Sequence, residues 1–348
     1  MTVALTDGEH RVNNIFPRSC ATVGRVKKPA QVITVTPAPS IDRTYQLHSL
    51  SLGEVHRAHT VTSEFAGKGV NVSRALAIGN VASLAVVPLS SHDEQSLSGD
   101  SMIVASPMEA PVRISITLAE DDGRTTKINE FPPALTPSHW QSLQDTTLAC
   151  VREHSPAWLL LAGTMPALTD FSSLEWADVI SQARAAGCSI AVDTSGEALR
   201  LAAAAGLPDV IKPNAPELAE CVGRSLFTLG DVVEAAREVM GWGVGTVLVS
   251  LGSDGMLGIN ATAAVHASSG PVVVVNTIGA GDASVAGFLA QALITPEDLS
   301  ACLANAVAWG GAKVAQPGSQ LTHLDNAPEV VTGTPELSRV LDEPGVLA

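Results

Sequence analysis

Short apolar runs alternate with amphipathic stretches along most of this chain. Residues 31–35 read as a first strand. The runs 157–161, 189–192, 210–211 and 246–249 read as buried strands, each short, apolar and bounded by turn residues. Between them, apolar positions recur at helical spacing over 171–186, 217–221 and 231–240. Two Ala-rich helices, 281–293 and 299–315, close the C-terminal half. Strand alternating with helix predicts an α/β fold with a parallel sheet covered on both faces.

Two regions break the rhythm. Residues 45–50 with 55–62, and 113–118 with 125–130, alternate polar and apolar positions. Asp121-Asp122-Gly123, between the latter two, is a hairpin turn signal. Period-2 strands of this kind predict a small sheet with one face in water. We expect it to form a lid, with its strands around 43–62 and 112–130. Residues 1–30 carry Arg11, Arg18, Arg25, Lys27 and Lys28 without any period. They read as a disordered tail that folding and turnover do not need. One main domain then covers 31–320. Residues 321–348 read as a second tail, punctuated by Pro and Gly, with a short helix near 335–341.

Composition narrows the function. The chain has 348 residues and a formal charge of −15. That balance disfavours nucleic acid, whose binding rests on Lys and Arg neutralising phosphates. Only 3% of residues are aromatic, so the core must be aliphatic. The longest apolar runs, such as 158–162 and 272–275, are far short of the ~20 residues that cross a bilayer. No apolar leader stands in the first thirty residues. Five scattered cysteines with no C-x-x-C pair fit reduced thiols in a cytoplasm.

Several segments carry chemistry. Asn276-Thr277-Ile278-Gly279-Ala280-Gly281-Asp282 follows the β-branched run 272–275, read as a strand, and opens an Ala-rich helix. Strand, glycines and helix N-terminus make an anion site, because free N–H groups and the helix dipole face the same charge. Asp282 in the first turn could take a proton from a hydroxyl; otherwise it is a helix-capping residue. No Lys-Ser/Thr follows the glycines, so this is not a Walker loop. Phe65-Ala66-Gly67-Lys68-Gly69-Val70-Asn71 is a second anion site or a plain helix start with a solvated lysine. In Lys212-Pro213-Asn214-Ala215-Pro216-Glu217, Asn214 and Glu217 either orient Mg²⁺-bound water or form a capping box. Ser250-Leu251-Gly252-Ser253-Asp254-Gly255 is a hairpin turn or a backbone surface for phosphates. Asp42, beyond the first strand, could bind vicinal hydroxyls where open α/β sheets hold ligands, or it is a turn aspartate.

Taken in this order, the segments resemble the PfkB (ribokinase-like) carbohydrate kinases, most of all the 1-phosphofructokinase/tagatose-6-phosphate kinase branch. The resemblance spans about 32–319. It rests on TPAPSIDRTY (36–45), GEVHRA (53–58), AGKGVNVSRAL (66–76), TTKINE (125–130), AGTMP (162–166), VDTSGEAL (192–199), IKPNAPEL (211–218), VSLGSDG (249–255) and above all VNTIGAGDASVAGFL (275–289). It implies a doubly wound, mostly parallel sheet with helices on both faces and a small β-sheet lid.

The implied activity is phosphoryl transfer from ATP, with Mg²⁺, to a sugar phosphate, fructose 1-phosphate giving fructose 1,6-bisphosphate. By the same resemblance Asp282 is the general base, and Gly279, Ala280 and Gly281 form the anion hole. Asp42, Gly67, Lys68, Asn71 and Arg113 hold the sugar phosphate. Lys212, Asn214, Ser250, Gly252 and Gly255 face ATP, with Glu217 and Asn214 reaching Mg²⁺ through water. The lid strands are expected to form a homodimer contact, in a cytoplasmic enzyme with no nucleic-acid or membrane partner. The family pattern is broken at Ala38, Ala66, Ser90–Glu94 and Ser115, all on the sugar side. The alternatives are a kinase of the same fold for tagatose 6-phosphate, a free sugar or a nucleoside, or a non-catalytic sugar-phosphate sensor, which the retained Asp282 opposes.

Overall fold

The structure is a computed structural model that describes residues 29–172 and 176–347. The N-terminal tail expected over 1–30 therefore lies, up to residue 28, outside the described residues.

The described chain starts with β1 (Val32–Val35), β2 (Ser40–Leu47) and β3 (Thr60–Ala66). Helix α1 (Lys68–Ile78) leads to β4 (Ser83–Leu89), α2 (Ser91–Ser96) and β5 (Ile103–Pro107). A hairpin of β6 (Arg113–Glu120) and β7 (Thr125–Asn129) precedes α3 (Pro137–His154). Strands and helices then alternate: β8 (Trp158–Ala162), α4 (Ala177–Ala185), β9 (Ser189–Asp193), α5 (Gly196–Ala204), β10 (Val210–Ile211), α6 (Ala215–Val222), β11 (Leu226–Thr228), α7 (Leu229–Gly241) and β12 (Thr246–Ser250). The rest is β13 (Met256–Ile259), β14 (Ala264–Ser269), α8 (Ala280–Ala292), α9 (Leu299–Val314), β15 (Val330–Gly333) and β16 (Val340–Gly345).

The chain divides into two units. The larger holds a ten-stranded sheet in the order β15-β14-β13-β12-β10-β9-β8-β1-β4-β5. From β12 to β5 the neighbours run parallel. β13, β14 and β15 add antiparallel at one edge. β1 and β8 are buried at every position, as strands covered on both faces must be. From β1 the chain builds outward through β4 and β5. It then returns to lay β8, β9, β10 and β12 on the other side. The strand order therefore reverses between β1 and β8, and ligands of open α/β sheets bind beyond the carboxyl ends of strands at such a point.

The smaller unit, 41–65 with 114–130, is a four-stranded sheet in the order β3-β2-β6-β7. β6 pairs antiparallel with β7, from Ser115 opposite Asn129 to Ala119 opposite Thr125. All of β7 is exposed and most of β6 half-buried, so the hairpin forms where the period-2 pattern puts it but its burial does not alternate.

Four readings of the pattern change. Residues 272–275 form no strand; Val273, Val274 and Val275 are exposed, and Val275 N–H donates to Val314 O at 2.7 Å. β-branched composition alone does not provide a partner strand. The lid strand expected over 55–62 begins only at Thr60. β5 and α3 are elements that the apolar runs do not announce.

The fourth change concerns the C-terminal segment. It is no tail and has no helix near 335–341: β15 extends the main sheet beside β14, and β16 pairs with β11. What anchors it is charge as well as pairing. Asp254 is fully buried, and Arg339 donates to its Oδ1 from Nε at 3.1 Å and from Nη2 at 2.5 Å. Asp342 N–H donates to Asp254 Oδ2 at 2.7 Å. Long-range ion pairing of this kind leaves no periodic trace in sequence. Arg339→Ala strips a buried carboxylate of its cation and is expected to cost about 1–3 kcal/mol, read as a lower urea midpoint at unchanged slope; an unshifted midpoint would show that this pair does not hold the segment.

Candidate active site

The carboxyl ends of β1, β8, β9 and β10 converge on the start of α1 and of α8. Thr36, just past β1, accepts from Val70 N–H at 3.2 Å, and Thr34 Oγ1 donates to Gly69 O at 2.9 Å. A Cβ at Gly67 would stand 2.6 Å from Thr36 Cγ2, and Gly67 has φ +142°. Glycine is what lets the first turn of α1 close onto β1, and this brings Lys68 and Asn71 to the strand ends.

Four charged side chains meet there. Lys68 Nζ donates to Asp193 Oδ1 at 2.9 Å, and Lys212 Nζ lies 3.7 Å from the same oxygen. Asp193 is the last residue of β9 and is 1% exposed. Asn71 Nδ2 donates to Asp282 Oδ2 at 2.9 Å, joining α1 to the first turn of α8. Lys212 Nζ also lies 3.5 Å from the position a Cβ would take on Gly281. Lys68, Asn71, Lys212, Gly281 and Asp282, distant in sequence, therefore share one site.

Electrostatics sets the protonation of this group. Burial pushes the Asp193 carboxyl up, yet the Lys212 and Lys68 ammoniums hold it below the usual carboxylate range. Burial would lower the Lys68 pKa; Asp193 outweighs it, and Lys68 stays charged. Asp282 goes the other way. Burial and the neighbouring Asp193 charge raise it to about 6, against the Asn71 hydrogen bond and the two lysines. A buried carboxylate near 6 can take a proton from a hydroxyl near neutral pH.

The helix start behind Asp282 is built for an anion. Gly279 is the N-cap of α8 in the left-handed region, φ 81°, with no side-chain cap. A Cβ there would stand 1.9 Å from Ser319 O. Of the expected donors, Ala280 N–H turns back to Thr277 O at 3.2 Å. Gly281 and Asp282 N–H have no partner within α8, by helix geometry.

The remaining predicted residues fall in several places. Asn214 and Ser250 are bridged as neighbours, and Ser250 N–H donates to Pro213 O at 3.0 Å. Asn214 and Glu217 form a capping box at the start of α6, with Asn214 Oδ1 and Glu217 Oε2 both engaged. That leaves Glu217 Oε1 for a ligand. Gly252 and Gly255 flank the turn between β12 and β13, and Gly252 faces the Glu343 carboxylate. Arg113 opens β6, and Asp42 lies on β2 in the smaller unit.

Three further residues belong to the site's construction. Asp193 stands within the quoted VDTSGEAL string, but nothing local in the sequence says that it gathers two lysines. Lys313 is fully buried in α9; its Nζ donates to Asn276 O and Gln316 O, both at 3.3 Å, directly behind the Gly279 turn. A lone lysine in an Ala-rich apolar helix was the available signal. Asp93 accepts from Val112 N–H at 3.1 Å and from Ser90 Oγ at 2.6 Å, fixing the residue before Arg113.

Comparison with known proteins identifies the family. The family model "pfkB family carbohydrate kinase" matches residues 36–326. A 1-phosphofructokinase from Xanthomonas campestris pv. campestris is 33% identical over 292 residues, 80% of this chain and 89% of that protein. A 1-phosphofructokinase from Escherichia coli K12 is 29% identical, covering 84% of this chain and 93% of its own. Phosphofructokinase-2 from Escherichia coli, solved in complex with potassium, superposes with a TM-score of 0.76 at 26% identity, over 86% of this chain and 97% of that one. The matched range includes the Lys68 turn, Asp193, Lys212 and the Gly279–Asp282 helix start, and on that extent the chain belongs to the pfkB family of carbohydrate kinases.

Proposed function

We propose that this protein transfers the γ-phosphoryl group of ATP to a hydroxyl of a sugar phosphate, with fructose 1-phosphate as acceptor and fructose 1,6-bisphosphate as product. One observation carries the reading: a buried carboxylate with its pKa raised to about 6 sits at an uncapped helix N-terminus beside two ammonium groups. In this reading Asp282 takes the hydroxyl proton as oxygen attacks phosphorus. Charge on the transferring phosphoryl falls on the Gly279-Ala280-Gly281 turn, where preorganised donors act without reorganising. Lys68, Asn71, Gly67, Arg113 and Asp42 hold the sugar phosphate, and Lys212, Asn214, Ser250, Gly252 and Gly255 line the ATP side. Asn71 Oδ1 and Asp193 Oδ2 are buried oxygens with no hydrogen-bond partner among the described residues. Glu217, whose Oε1 the capping box with Asn214 leaves over, would reach Mg²⁺ through water on the ATP side. Bound there, Mg²⁺ would neutralise phosphate charge. The 1-phosphofructokinase relatives support the acceptor. We further propose a cytoplasmic homodimer joined through the small sheet; a neighbouring phosphofructokinase-2 from Escherichia coli has a tetrameric inhibited form.

The test is ADP release with ATP–Mg²⁺ over fructose 1-phosphate, fructose 6-phosphate, tagatose 6-phosphate and fructose. Two charge-assisted contacts, at about 1.5–3 kcal/mol each, favour the phosphorylated acceptor over free fructose by at least about 100-fold in kcat/KM. Equal use of the two would remove the phosphate-binding role from Lys68 and Arg113.

Asp282→Asn keeps the shape but cannot take the proton. It is expected to lower kcat by roughly 10²–10⁴ while ATP and sugar-phosphate affinities, by calorimetry, stay within a few-fold. Retention of a tenth of wild-type kcat would exclude Asp282 as base.

The pH profile gives an independent check. The ionised carboxylate is the active form, so kcat/KM should fall as pH drops through about 6 and level off above it. Asp193 is one of the charges that raises Asp282, so Asp193→Asn should move this acid limb to lower pH, whatever it does to the plateau. A limb that stays in place would separate Asp193 from the titration.

A further inference from the structure

The four-stranded sheet carries a cluster that phosphoryl transfer does not use. His48 directly follows β2, His59 directly precedes β3, and Asp121 directly follows β6. Their main chains are tied at this end of the sheet. Asp121 N–H donates to Leu47 O at 3.1 Å, and His59 N–H to Gln46 O at 3.0 Å. The side chains converge as well. His48 Nδ1 donates to Asp121 Oδ2 at 2.7 Å, and His59 Nε2 to Asp121 Oδ1 at 3.3 Å. The two rings lie 5.0 Å apart between centroids, tilted by 33°. One nitrogen of each ring and one carboxylate oxygen fall within 4.8 Å of one another.

Two imidazoles and a carboxylate form a ligand set for a borderline transition-metal ion. Bonds of about 2.0–2.1 Å in a tetrahedron set ligand atoms about 3.3 Å apart, which the observed spacing reaches by small rotamer shifts. Arg124, three residues on along the hairpin, is committed elsewhere: it grips Glu120 through Nε at 2.6 Å and Nη2 at 2.5 Å. Asp121 is left facing the imidazoles. The side chains of His48, His59 and Asp121 are 84%, 37% and 54% exposed, so an ion enters without opening the sheet. A chain of net charge −15 also draws cations.

We propose that His48, His59 and Asp121 form a three-ligand site for a divalent transition metal of the Zn²⁺ class, with water completing the tetrahedron. On binding, each ligating ring nitrogen gives up its hydrogen and the other ring nitrogen carries one, so both imidazoles remain neutral. The ion takes the place of the two N–H···O contacts and staples the chain at 48, 59 and 121. Mg²⁺ does not fill it, because Mg²⁺ prefers oxygen ligands and keeps its waters. The proposal uses only residues of the smaller unit and stands whether or not the acceptor is fructose 1-phosphate.

The experiment uses the full-length protein without an affinity tag, stripped by chelator and titrated calorimetrically with ZnCl₂ in millimolar Mg²⁺. We expect one Zn²⁺ per chain at micromolar affinity, weakened at least ten-fold in His59→Gln and lost in His48→Ala/His59→Gln. Circular dichroism checks that each variant is folded. Should a variant fail to fold, the wild type decides: Zn²⁺ should protect His48 and His59 from diethylpyrocarbonate, read by peptide mass spectrometry, while Mg²⁺ should not. Absence of binding, binding unchanged in the double variant, or equal reactivity of both histidines with and without Zn²⁺ would overturn the site.

Discussion

Two lysines cannot share one buried pocket without a negative charge between them. Asp193 supplies it, and the rest of the site follows from that requirement. The carboxylate ends β9 and is almost wholly enclosed, so its ionised form would be costly if isolated. Lys68 from the start of α1 and Lys212 from beyond β10 hold it ionised, and it in turn fixes both ammonium groups at the strand ends. The same negative charge reaches Asp282 and helps to raise that carboxyl to about 6. One residue thus places two cations at the strand ends and raises the carboxyl beside them.

The helix start of α8 depends on a second buried charge. Gly279 must adopt φ 81° against Ser319 O, a position with no room for a side chain. Lys313 binds the carbonyls of Asn276 and Gln316 from behind, at a depth where an unpaired ammonium would not persist. It ties the segment entering α8 to the segment leaving α9. The uncapped N–H groups of α8 therefore point in a fixed direction, which is what separates a preorganised anion site from an ordinary fraying helix end.

Much of this was legible from the sequence, for physical reasons that differ by element. β8, β9, β10 and β12 are buried on both faces and read as continuous apolar runs. The hairpin of β6 and β7 reads by the alternation of its sequence and its Asp-Asp-Gly turn. Gly67, Lys68, Asn71, Lys212 and Gly279 to Asp282 stand in local strings whose composition betrays a tight backbone. Asp193 does not stand out, because its partners are far along the chain and pairing at distance leaves no local period. The run 272–275 misleads because β-branched residues mark a strand only where a neighbour offers hydrogen bonds. Asn214 and Glu217 were ambiguous for a different reason: the spacing that suits a ligand pair also makes a capping box, and the chain uses it as one.

The C-terminal strands extend this to the turn between β12 and β13. The matched family region ends at residue 326, yet the turn between β12 and β13, which carries Gly252 and Gly255, is held from beyond it. Asp254 in the middle of that turn is fully buried and satisfied by Arg339 and by Asp342 N–H, while Ser253 Oγ donates to Asp342 Oδ2 at 3.0 Å. Glu343 sets its carboxylate against Gly252. The turn is thus anchored below by a buried ion pair and faced by a carboxylate. Anions approaching Gly252 meet Glu343, whereas the ammonium groups of Lys68 and Lys212 lie with Asp193 and Asp282. Positive charge is concentrated beside Asp282, and the Gly252 turn offers shape and backbone groups instead.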